Sequence, residues 1–305
     1  MKTGVIANST LCIPLLYFLK TQGWDLCVYS AEYGAGISSF CDSENISCTY
    51  ENNNPQCIYE WVAAQRPDVV FVVGYNSKIK TAQFGNHPPD LFNVHFGHLP
   101  EYRGPNPVFW QLKKGVRTLA ISIHRISERL DAGAIVWKKE FLNEPFFSYG
   151  YVHQLMSHNL VEGVNYLLQI KKLNQPIPGT EQNEQHAAYF HRPAAKDVCV
   201  QWQTMQAAEI CDLVKACNPW NSGAITIYNG FEVRISDAEQ IQHGTYQLPD
   251  GVTAGTIIDS DKRLLVSCIN NEIIHIHTLT VNGVLVPGRF ATPYGFVKGH
   301  LFTSL

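Results

Sequence analysis

The sequence predicts an α/β protein in which a mostly parallel, Rossmann-like sheet is followed by a small OB-like β-barrel. Three observations predict this fold. The first half alternates short apolar runs with amphipathic segments, as strands and crossover helices do in a parallel sheet. One run, Val69 to Val73, is apolar throughout, as a central strand buried on both faces should be. Beyond residue 200 the apolar runs are short and separated by turn residues, which is typical of a small barrel.

Periodicity and turn residues place the elements of the first half. The predicted strands are residues 3–7, 26–30, 69–73, 91–94, 119–124 and 134–139, and the predicted helices are residues 10–21, 56–65, 105–114 and 150–170. Pro105 suits the first turn of its helix because a fixed φ costs nothing there, and Gly115 provides the stop. Strand 91–94 ends beside the central strand, so the loops after both strands share the carboxyl edge where open α/β sheets bind ligands.

The second half is predicted to contain one helix and several short strands. The helix is residues 204–216, and the strands are residues 223–228, 231–235, 255–258, 264–269 and 273–279. Pro176, Pro178 and Gly179 open a polar stretch that reads as a linker. The predicted organisation is therefore a catalytic domain over 1–175, a linker over 176–200 and a barrel domain over 201–305. Trp220 is expected to anchor the barrel.

Composition narrows the class of protein. A chain of 305 residues with 45% apolar residues can bury a large core. The N-terminus is too soon polar for a secretory signal, and no apolar run is long enough to cross a membrane, so a cytoplasmic protein is expected. The nine cysteines are scattered singly without zinc-type spacing, which favours reduced thiols and no metal site. A redox or metal site built from Cys41, Cys48 and Cys57 is the open alternative.

The distribution of charge disfavours a nucleic-acid partner. The formal net charge is −3, and the stretch from Thr21 to Gln65 contains six acidic residues and no Lys or Arg. From Gln201 to the end there are nine acidic and six basic residues. Binding a polynucleotide requires Lys and Arg to replace condensed counterions. Neither stretch supplies such a basic face.

Three polar residues carry the predicted chemistry. Asn93 and His95 alternate with the apolar Phe92 and Val94, so both side chains should emerge on one face at the end of a strand. Asp131 follows in a loop between two later strands. An amide, an imidazole and a carboxylate are the groups needed to bind an oxyanion and move a proton during acyl transfer to an amine. Asn93 and His95 are expected to donate to the oxyanion, and Asp131 is expected to orient or polarise His95 and accept the proton that the amine loses. Partial burial is expected to raise the pKa of Asp131 from ~3.9.

This stretch resembles the methionyl-tRNA formyltransferase family, whose relatives include sugar N-formyltransferases. The family pattern is an Asn-x-His, a Leu-Pro-x-Tyr-Arg-Gly turn, a helix and a later Asp-x-Gly. Those motifs are here Asn93-Val94-His95, Leu99-Pro100-Glu101-Tyr102-Arg103-Gly104 and Asp131-Ala132-Gly133. A weaker likeness continues to Asn218-Pro219-Trp220, which is similar to a motif of the family's C-terminal barrel.

The resemblance implies a formyltransferase whose donor is 10-formyltetrahydrofolate and whose acceptor is a nucleophilic nitrogen. It implies that Asn93, His95 and Asp131 are the catalytic residues. The family's folate pocket uses backbone of two loops, which implies cofactor contacts at Val73, Gly74, Tyr75, Ile126 and Leu130 here. Acceptor contacts are expected from residues beside the site, namely His98, Tyr102 and Arg103, although bracing the turn is an alternative role for Arg103.

The acceptor is expected to be a small-molecule amine, either an amino sugar on a nucleotide or an amino-acid or peptide amine. The basic insertion that tRNA-acting members of the family use corresponds here to the acidic stretch after Tyr29, and Phe96-Gly97-His98 replaces the usual Ser-Leu beside the site. A methionyl-tRNA formyltransferase with an unusual surface and a folate-binding protein without turnover are the alternatives. A homodimer is a further expectation, and no membrane partner is expected.

Overall fold

The computed structural model describes residues 1–31, 36–51, 54, 56–85, 87–242, 244, 246, 248 and 251–305. Its contacts form two compact units. Unit 1 is Met1–Pro107, Thr118–Phe141 and His153–His191, and unit 2 is Val108–Arg117, Leu142–Val152 and Arg192–Leu305. The segment predicted as a linker is thus divided between the units at His191. Two short segments predicted in the first domain belong to unit 2. The acidic stretch after Tyr29 falls partly on residues 32–35, 52–53 and 55, which lie outside the described residues.

A seven-stranded sheet forms unit 1, in the order β3-β2-β1-β4-β5-β6-β7. Its strands are β1 (Lys2–Ala7), β2 (Asp25–Ser30), β3 (Cys48–Tyr50), β4 (Val69–Val73), β5 (Asp90–His95), β6 (Thr118–Arg125) and β7 (Ile135–Leu142). The first five strands in this order, β3, β2, β1, β4 and β5, are parallel, and β6 runs antiparallel to β5. The predicted mostly parallel sheet is confirmed.

The helices of the first half are α1 (Ile13–Thr21), α2 (Ile37–Ser43), α3 (Cys57–Gln65), α4 (Pro107–Lys113) and α5 (Tyr149–Lys172). Helix α4 begins at Pro107 and not at Pro105, because Pro107 disfavours helical backbone at the preceding Asn106. Helix α2 was not predicted, since its serines and aspartate favour caps and turns over helix interiors. None of the described helices has the length and apolarity needed to cross a membrane.

The apolar β4 runs through the core of the sheet and sets the position of the site. All five of its residues are buried, and Phe71 stacks on Phe92 of β5 with ring centroids 5.7 Å apart. The parallel register pairs Val73 with Val94, so β4 and β5 end at the same edge of the sheet. Asn93 and His95 are therefore delivered to the carboxyl edge, as the sequence predicts.

Unit 2 contains α6 (Ala207–Cys217) and a second, antiparallel sheet. Its strands are β8 (Ala224–Tyr228), β9 (Phe231–Gln240), β10 (Ile257–Asp259), β11 (Leu264–Ser267), β12 (Ile273–Val281), β13 (Val284–Pro287) and β14 (Phe302–Thr303). The order is β10-β11-β12-β9-β8-β14, with β13 on β12. A bridge between Thr256 and Leu301, and a 2.8 Å bond from the Ile257 N–H to the His300 carbonyl, join the ends of this order. The predicted small barrel is confirmed.

Of Trp202 and Trp220, Trp202 is the one buried against the strands of the second sheet. Trp202 is 0% exposed, its Nε1 donates to the Thr226 hydroxyl at 2.9 Å, and its ring stacks on Phe302. Trp220 is 42% exposed and its Nε1 donates to the Ala216 carbonyl at 2.7 Å. The expectation that Trp220 anchors the barrel was wrong, because burial of a lone tryptophan depends on which strands close around it.

Candidate active site

Asn93, His95 and Asp131 lie together in unit 1, with His124 as a fourth member. Asn93 and His95 end β5, and Asp131 lies in the loop between β6 and β7. Because β6 is antiparallel to β5, its register places His124 directly opposite Asn93. His95, His124 and Asp131 are all buried. The structure thus brings the three predicted catalytic residues into one polar cluster beneath the carboxyl edge of the sheet.

The Asp131 carboxylate is the centre of the cluster. Its Oδ2 accepts the Gly104 N–H at 2.9 Å and lies 3.8 Å from Nδ1 of His95. Its Oδ1 lies 3.5 Å from Nε2 of His124 and 3.4 Å from the Asn93 amide nitrogen. A buried carboxylate must be hydrogen-bonded or paired. Both oxygens of Asp131 meet that requirement.

Hydrogen-bond accounting assigns the tautomer of His124. Its Nδ1 lies 2.9 Å from the Arg125 carbonyl, which can only accept, so Nδ1 carries the proton. In the neutral ring, Nε2 is then an acceptor, and it receives the Asn93 amide N–H at 3.1 Å. His124 therefore fixes which way the Asn93 amide points. The remaining N–H of Asn93 makes only the long contact to Asp131, and it is the donor most easily turned toward a substrate.

The hydrogen-bond partners of His95 fix its tautomer in the same way. Its Nε2 lies 2.7 Å from the Tyr102 carbonyl, so Nε2 carries the proton and Nδ1 carries the lone pair in the neutral ring. Nδ1 faces Asp131. The sequence predicts His95 as an oxyanion donor, but its N–H is already bonded to backbone in this conformation. The open nitrogen of His95 is an acceptor.

His95 and Asp131 favour different charge states, since His95 favours its neutral form and Asp131 favours its ionised form. Burial, opposed in part by Asp131, lowers the pKa of His95, so the imidazole is neutral at neutral pH. Burial also disfavours the Asp131 carboxylate, but the positive charges that His95 and His124 carry once protonated, the contact with the His124 ring and the Gly104 N–H outweigh it and lower its pKa to about 2. The expectation of a raised pKa was wrong, because hydrogen bonds and facing imidazoles offset desolvation. The pair is an ionised carboxylate beside a neutral imidazole.

The lowered pKa of Asp131 predicts acid-sensitive stability. A carboxyl group whose pKa falls from 3.8 to about 2 on folding stabilises the fold above pH 3.8, and that contribution is lost as pH falls through 2. The linkage amounts to about 2 kcal/mol of unfolding free energy. We expect urea unfolding curves from about pH 5 to pH 2 to show this loss in the wild type. In Asp131→Asn the pH-dependent loss should be smaller by that amount, and equal losses would contradict the assignment.

Asp131 adopts a backbone conformation that its loop must hold in place. Its φ is 53°, a left-handed conformation that is uncommon for residues other than glycine. Nε2 of Gln182 donates to the carbonyls of both Asp131 and Gly133 at 2.7 Å. A Cβ on Gly133 would lie 1.9 Å from the Arg125 carbonyl oxygen, so only glycine fits there. The Asp-x-Gly motif is thus explained by the geometry of this loop.

Arg103 braces the turn through internal hydrogen bonds. It is 0% exposed, and its guanidinium donates to Oε1 of Gln182 at 3.0 and 2.8 Å, to Glu184 at 2.9 and 3.3 Å and to the Tyr189 hydroxyl at 3.0 Å. Tyr189 in turn donates to the Leu130 carbonyl at 3.0 Å. This internal network ties the turn to the Asp131 loop, which is the alternative role expected for Arg103.

Family models match both halves of the chain. The formyl transferase model matches residues 27–145, and the model of the formyl transferase C-terminal domain matches residues 194–284. Together they cover more than half of the sequence. The chain belongs to the formyl transferase family.

Relatives of this formyl transferase family member differ in what they act on. A methionyl-tRNA formyltransferase from Fervidobacterium nodosum is 28% identical over 204 residues, which are 67% of this chain and 62% of that protein. The match therefore spans less than two thirds of the relative's length. HypX from Aquifex aeolicus, solved in complex with tetrahydrofolic acid, shares the fold with a TM-score of 0.68 at 17% identity, over 97% of this chain and 47% of that one.

A second solved structure matches at nearly full length. It is an N-formyltransferase from Helicobacter canadensis in complex with folinic acid and dTDP-3-aminofucose, with a TM-score of 0.70 at 15% identity. The match covers 90% of this chain and 98% of that one. At this identity the likeness establishes the fold that the two chains share.

The residues predicted to hold the folate occupy two loops of unit 1. Val73 is buried, Gly74 has a φ of 66°, and the Tyr75 hydroxyl donates to Glu51 at 2.8 Å. Tyr75 and Ile126 both pack against one apolar cluster that includes Leu91 and Val72, so the structure brings these two loops together. Leu130 is exposed, and its carbonyl is taken by Tyr189.

Of the predicted acceptor residues, His98 and Tyr102 keep exposed surface. Nδ1 of His98 lies 2.8 Å from Glu101, and its Nε2 lies 3.1 Å from Lys138 Nζ and 3.2 Å from Glu140. Tyr102 stacks on Phe190 with ring centroids 5.3 Å apart, and its carbonyl binds His95. Tyr102 is therefore linked directly to the cluster through its backbone.

Gly97 leaves the space that the His95 ring occupies. A Cβ on Gly97 would lie 2.8 Å from Nε2 of His95 and 2.5 Å from the Pro107 Cβ. Gly97→Ala should displace the imidazole from the Tyr102 carbonyl. Because a displacement of about 1 Å at a reacting group can cost 10²-fold, we expect the turnover number to fall by about tenfold to 100-fold. Steady-state kinetics would measure it, with the unfolding midpoint as a check on the fold; unchanged turnover would show that His95 tolerates the methyl group.

Sequence reasoning missed His124 and Gln182. His124 was expected only to end a strand, and its alternation with Ser122 on β6 gave no indication that β6 pairs antiparallel with β5. Gln182 lies in the stretch predicted as a linker, 51 residues from Asp131 along the chain. No local pattern connects them.

Proposed function

We propose that this protein transfers a formyl group from 10-formyltetrahydrofolate to an amine of a small molecule. The observation that carries the proposal is the buried cluster of Asn93, His95, His124 and Asp131 at the carboxyl edge of a formyl transferase family fold. Acyl transfer to an amine requires a proton acceptor and a donor for the developing negative charge. The cluster offers both in one place.

The proton of the attacking amine goes to His95. Its Nδ1 carries a lone pair, and the ionised Asp131 that faces it stabilises the imidazolium once the proton has arrived. Asp131 stays ionised opposite the imidazolium, because the positive charge of His95 lowers the pKa of Asp131. When the new C–N bond has formed and the bond to the folate nitrogen breaks, His95 returns the proton to the leaving nitrogen.

Asn93 supplies the donor for the carbonyl oxygen that gains negative charge. Its amide is oriented by His124, and its second N–H is held only by the 3.4 Å contact to Asp131. Turning that N–H to a substrate oxygen exchanges a long contact for a charge-assisted one. Removing such a donor typically costs roughly 10²–10³ in turnover.

Two loops of unit 1 fit the folate. Tyr75 and Ile126 present apolar surface backed by a buried cluster, and the backbone after Val73 turns through a left-handed glycine. A flat aromatic ring system needs apolar walls and a few backbone polar groups. The folate ligands of the Aquifex aeolicus and Helicobacter canadensis proteins support the same donor here.

A small amine is the favoured acceptor class. The stretch Thr21 to Gln65 is acidic and has no Lys or Arg, which is unsuited to a polynucleotide. The nucleotide-linked amino sugar in the Helicobacter canadensis structure supports a similar acceptor for this chain. His98 and Tyr102, which keep exposed surface, are the proposed acceptor contacts.

The nine free cysteines support a reducing, cytoplasmic setting, and the expected homodimer stays a prediction.

Methionyl-tRNA is the second candidate acceptor, because the Fervidobacterium nodosum relative carries that name. Release of tetrahydrofolate would be followed with 10-formyltetrahydrofolate and a panel of dTDP-amino sugars, amino acids and charged initiator tRNA. We expect turnover with an amino sugar or amino acid and none with tRNA. Turnover only with tRNA, falling steeply with salt, would select the second candidate. No turnover with any acceptor, together with tight folate binding, would indicate a binding protein.

A further inference from the structure

Unit 2 carries two imidazoles and a carboxylate on one face of its barrel sheet. His275 and His277 lie two residues apart on β12, and Glu239 lies on β9 directly opposite His275. Alternate residues of a strand share a face. Ile274 and Ile276 are buried on the other face, so the histidines face outward.

The register of the sheet changes at His277. Ile276 pairs with Ala238 and Thr278 pairs with Asp237, so β12 has one more residue than β9 at this point. Such a bulge re-aims a side chain, and bulges are frequent beside functional sites. His277 is the additional residue, and its ring centroid lies 4.1 Å from that of His275. The bulge thus brings the two rings closer than a regular strand spacing of ~6.6 Å between alternate residues would.

The distances among these side chains are those of a coordination sphere. Nδ1 of His275 lies 3.3 Å and Nε2 of His277 lies 3.2 Å from the same oxygen, Oε1 of Glu239. All three candidate ligand atoms lie within 4.8 Å of one another. Ligands about 2.0–2.1 Å from a tetrahedral zinc ion are ~3.4 Å apart. Two of the three separations already have this length, and the third, between the two ring nitrogens, is no more than 4.8 Å.

The surroundings suit an ion that keeps a water ligand. Glu239 is exposed and the His277 side chain is 37% exposed, which leaves a path for entry and for water. Leu265, the β11 partner of His275, is buried and provides an apolar flank. The positive charge of Arg263 near His275 disfavours a cation there, and its guanidinium is bonded to the Tyr246 hydroxyl. Imidazole nitrogens with one carboxylate oxygen suit zinc and its first-row neighbours.

We propose that Glu239, His275 and His277 bind a divalent first-row transition-metal ion of the zinc type, with water completing the coordination. The ion joins β9 to β12 across the bulge and stabilises the barrel. The spacing rules that exclude a zinc motif from the sequence do not detect this site, because a His-x-His pair and a carboxylate 36 residues away meet only through strand register.

Zinc titration of the untagged full chain tests the proposal. After chelator treatment and buffer exchange, calorimetry should give one zinc ion per chain, and Co²⁺ should give the intense visible absorption of tetrahedral coordination. His277→Ala and Glu239→Gln should each weaken zinc binding at least tenfold, as loss of even an outer-shell partner can. Zinc should raise the unfolding midpoint of the wild type and not that of either variant.

His158→Ala is the matched control. His158 is exposed on α5 and bonds to the Gln154 carbonyl, so its removal should leave zinc affinity unchanged. Glu239→Gln keeps the shape of the side chain, so it still tests the site if His277→Ala does not fold. Equal zinc affinity in the wild type and in Glu239→Gln, or no zinc bound by the wild type, would overturn the proposal. Formyl-transfer activity plays no part in this readout.

Discussion

Replacing Asp131 with asparagine is expected to lower the turnover number for formyl transfer by about 10²–10⁴, the usual contribution of a group that moves a proton. Asparagine keeps an oxygen that can accept the Gly104 N–H, but it carries no negative charge toward Nδ1 of His95. The imidazolium that forms when His95 takes the amine proton would then be buried without a counter-charge. Release of tetrahydrofolate under saturating donor and acceptor measures the loss.

Asp42→Asn is the control for Asp131→Asn. Asp42 lies on α2 of the same unit and is exposed, so the same change of charge occurs there outside the cluster. We expect its turnover number to stay within twofold of the wild type. If Asp131→Asn kept comparable activity, the proposed role of Asp131 in proton transfer would be wrong, whatever the role of His95.

Removing Arg103 is expected to destabilise unit 1 by about 2–3 kcal/mol, because hydrogen bonds to charged groups each contribute in this range and leave unpaired groups when one partner is lost. Arg103→Ala frees Oε1 of Gln182, whose amide holds the carbonyls of Asp131 and Gly133. The Asp131 loop should therefore loosen as well. Urea unfolding measures the loss of unfolding free energy, and a lower turnover number would show that the Asp131 loop has loosened.

Arg129→Ala is a matched control for Arg103→Ala. Arg129 donates to the same Glu184 at 2.7 Å, but its side chain is 64% exposed, and exposed ion pairs contribute little. We expect a much smaller change in stability for this variant. If Arg103 contacted the acceptor instead, Arg103→Ala would raise the KM for the amine and leave the unfolding free energy unchanged, which would contradict the bracing network.

Much of the fold is predictable because the periodicity of apolar residues along each long segment indicates its secondary structure. The apolar β4, the alternation around Asn93 and His95 and the long α5 each carry enough residues for the pattern to be unambiguous. The three-residue β3 and the seven-residue α2 do not, since so short a segment forms only with tertiary support. Tertiary structure also decides why Trp202 is buried and Trp220 is not, because the burial of each indole depends on how the barrel closes.

The site divides in the same way. Motif spacing identified Asn93, His95 and Asp131, since the chemistry restricts which residue types can serve. It did not find His124, which reaches the cluster through the antiparallel pairing of β5 and β6. It also could not show that the Arg103 guanidinium points into segment 180–191, because that contact joins residues about 80 positions apart.

Strand periodicity and motifs similar to those of a known family were enough to predict the reaction class, the carboxyl-edge location of the site and three of the four polar residues in the cluster. The location of the site and its residues follow from alternation along one strand and from short motifs, which are local properties, and formyl transfer follows from the family resemblance of those motifs. The folded chain was needed to establish that Asp131 is ionised beside a neutral His95, that Arg103 braces the turn and that two histidines and Glu239 meet in unit 2. Charge states and ligand sets depend on distances between residues remote in sequence, and those distances exist only once the strands have paired.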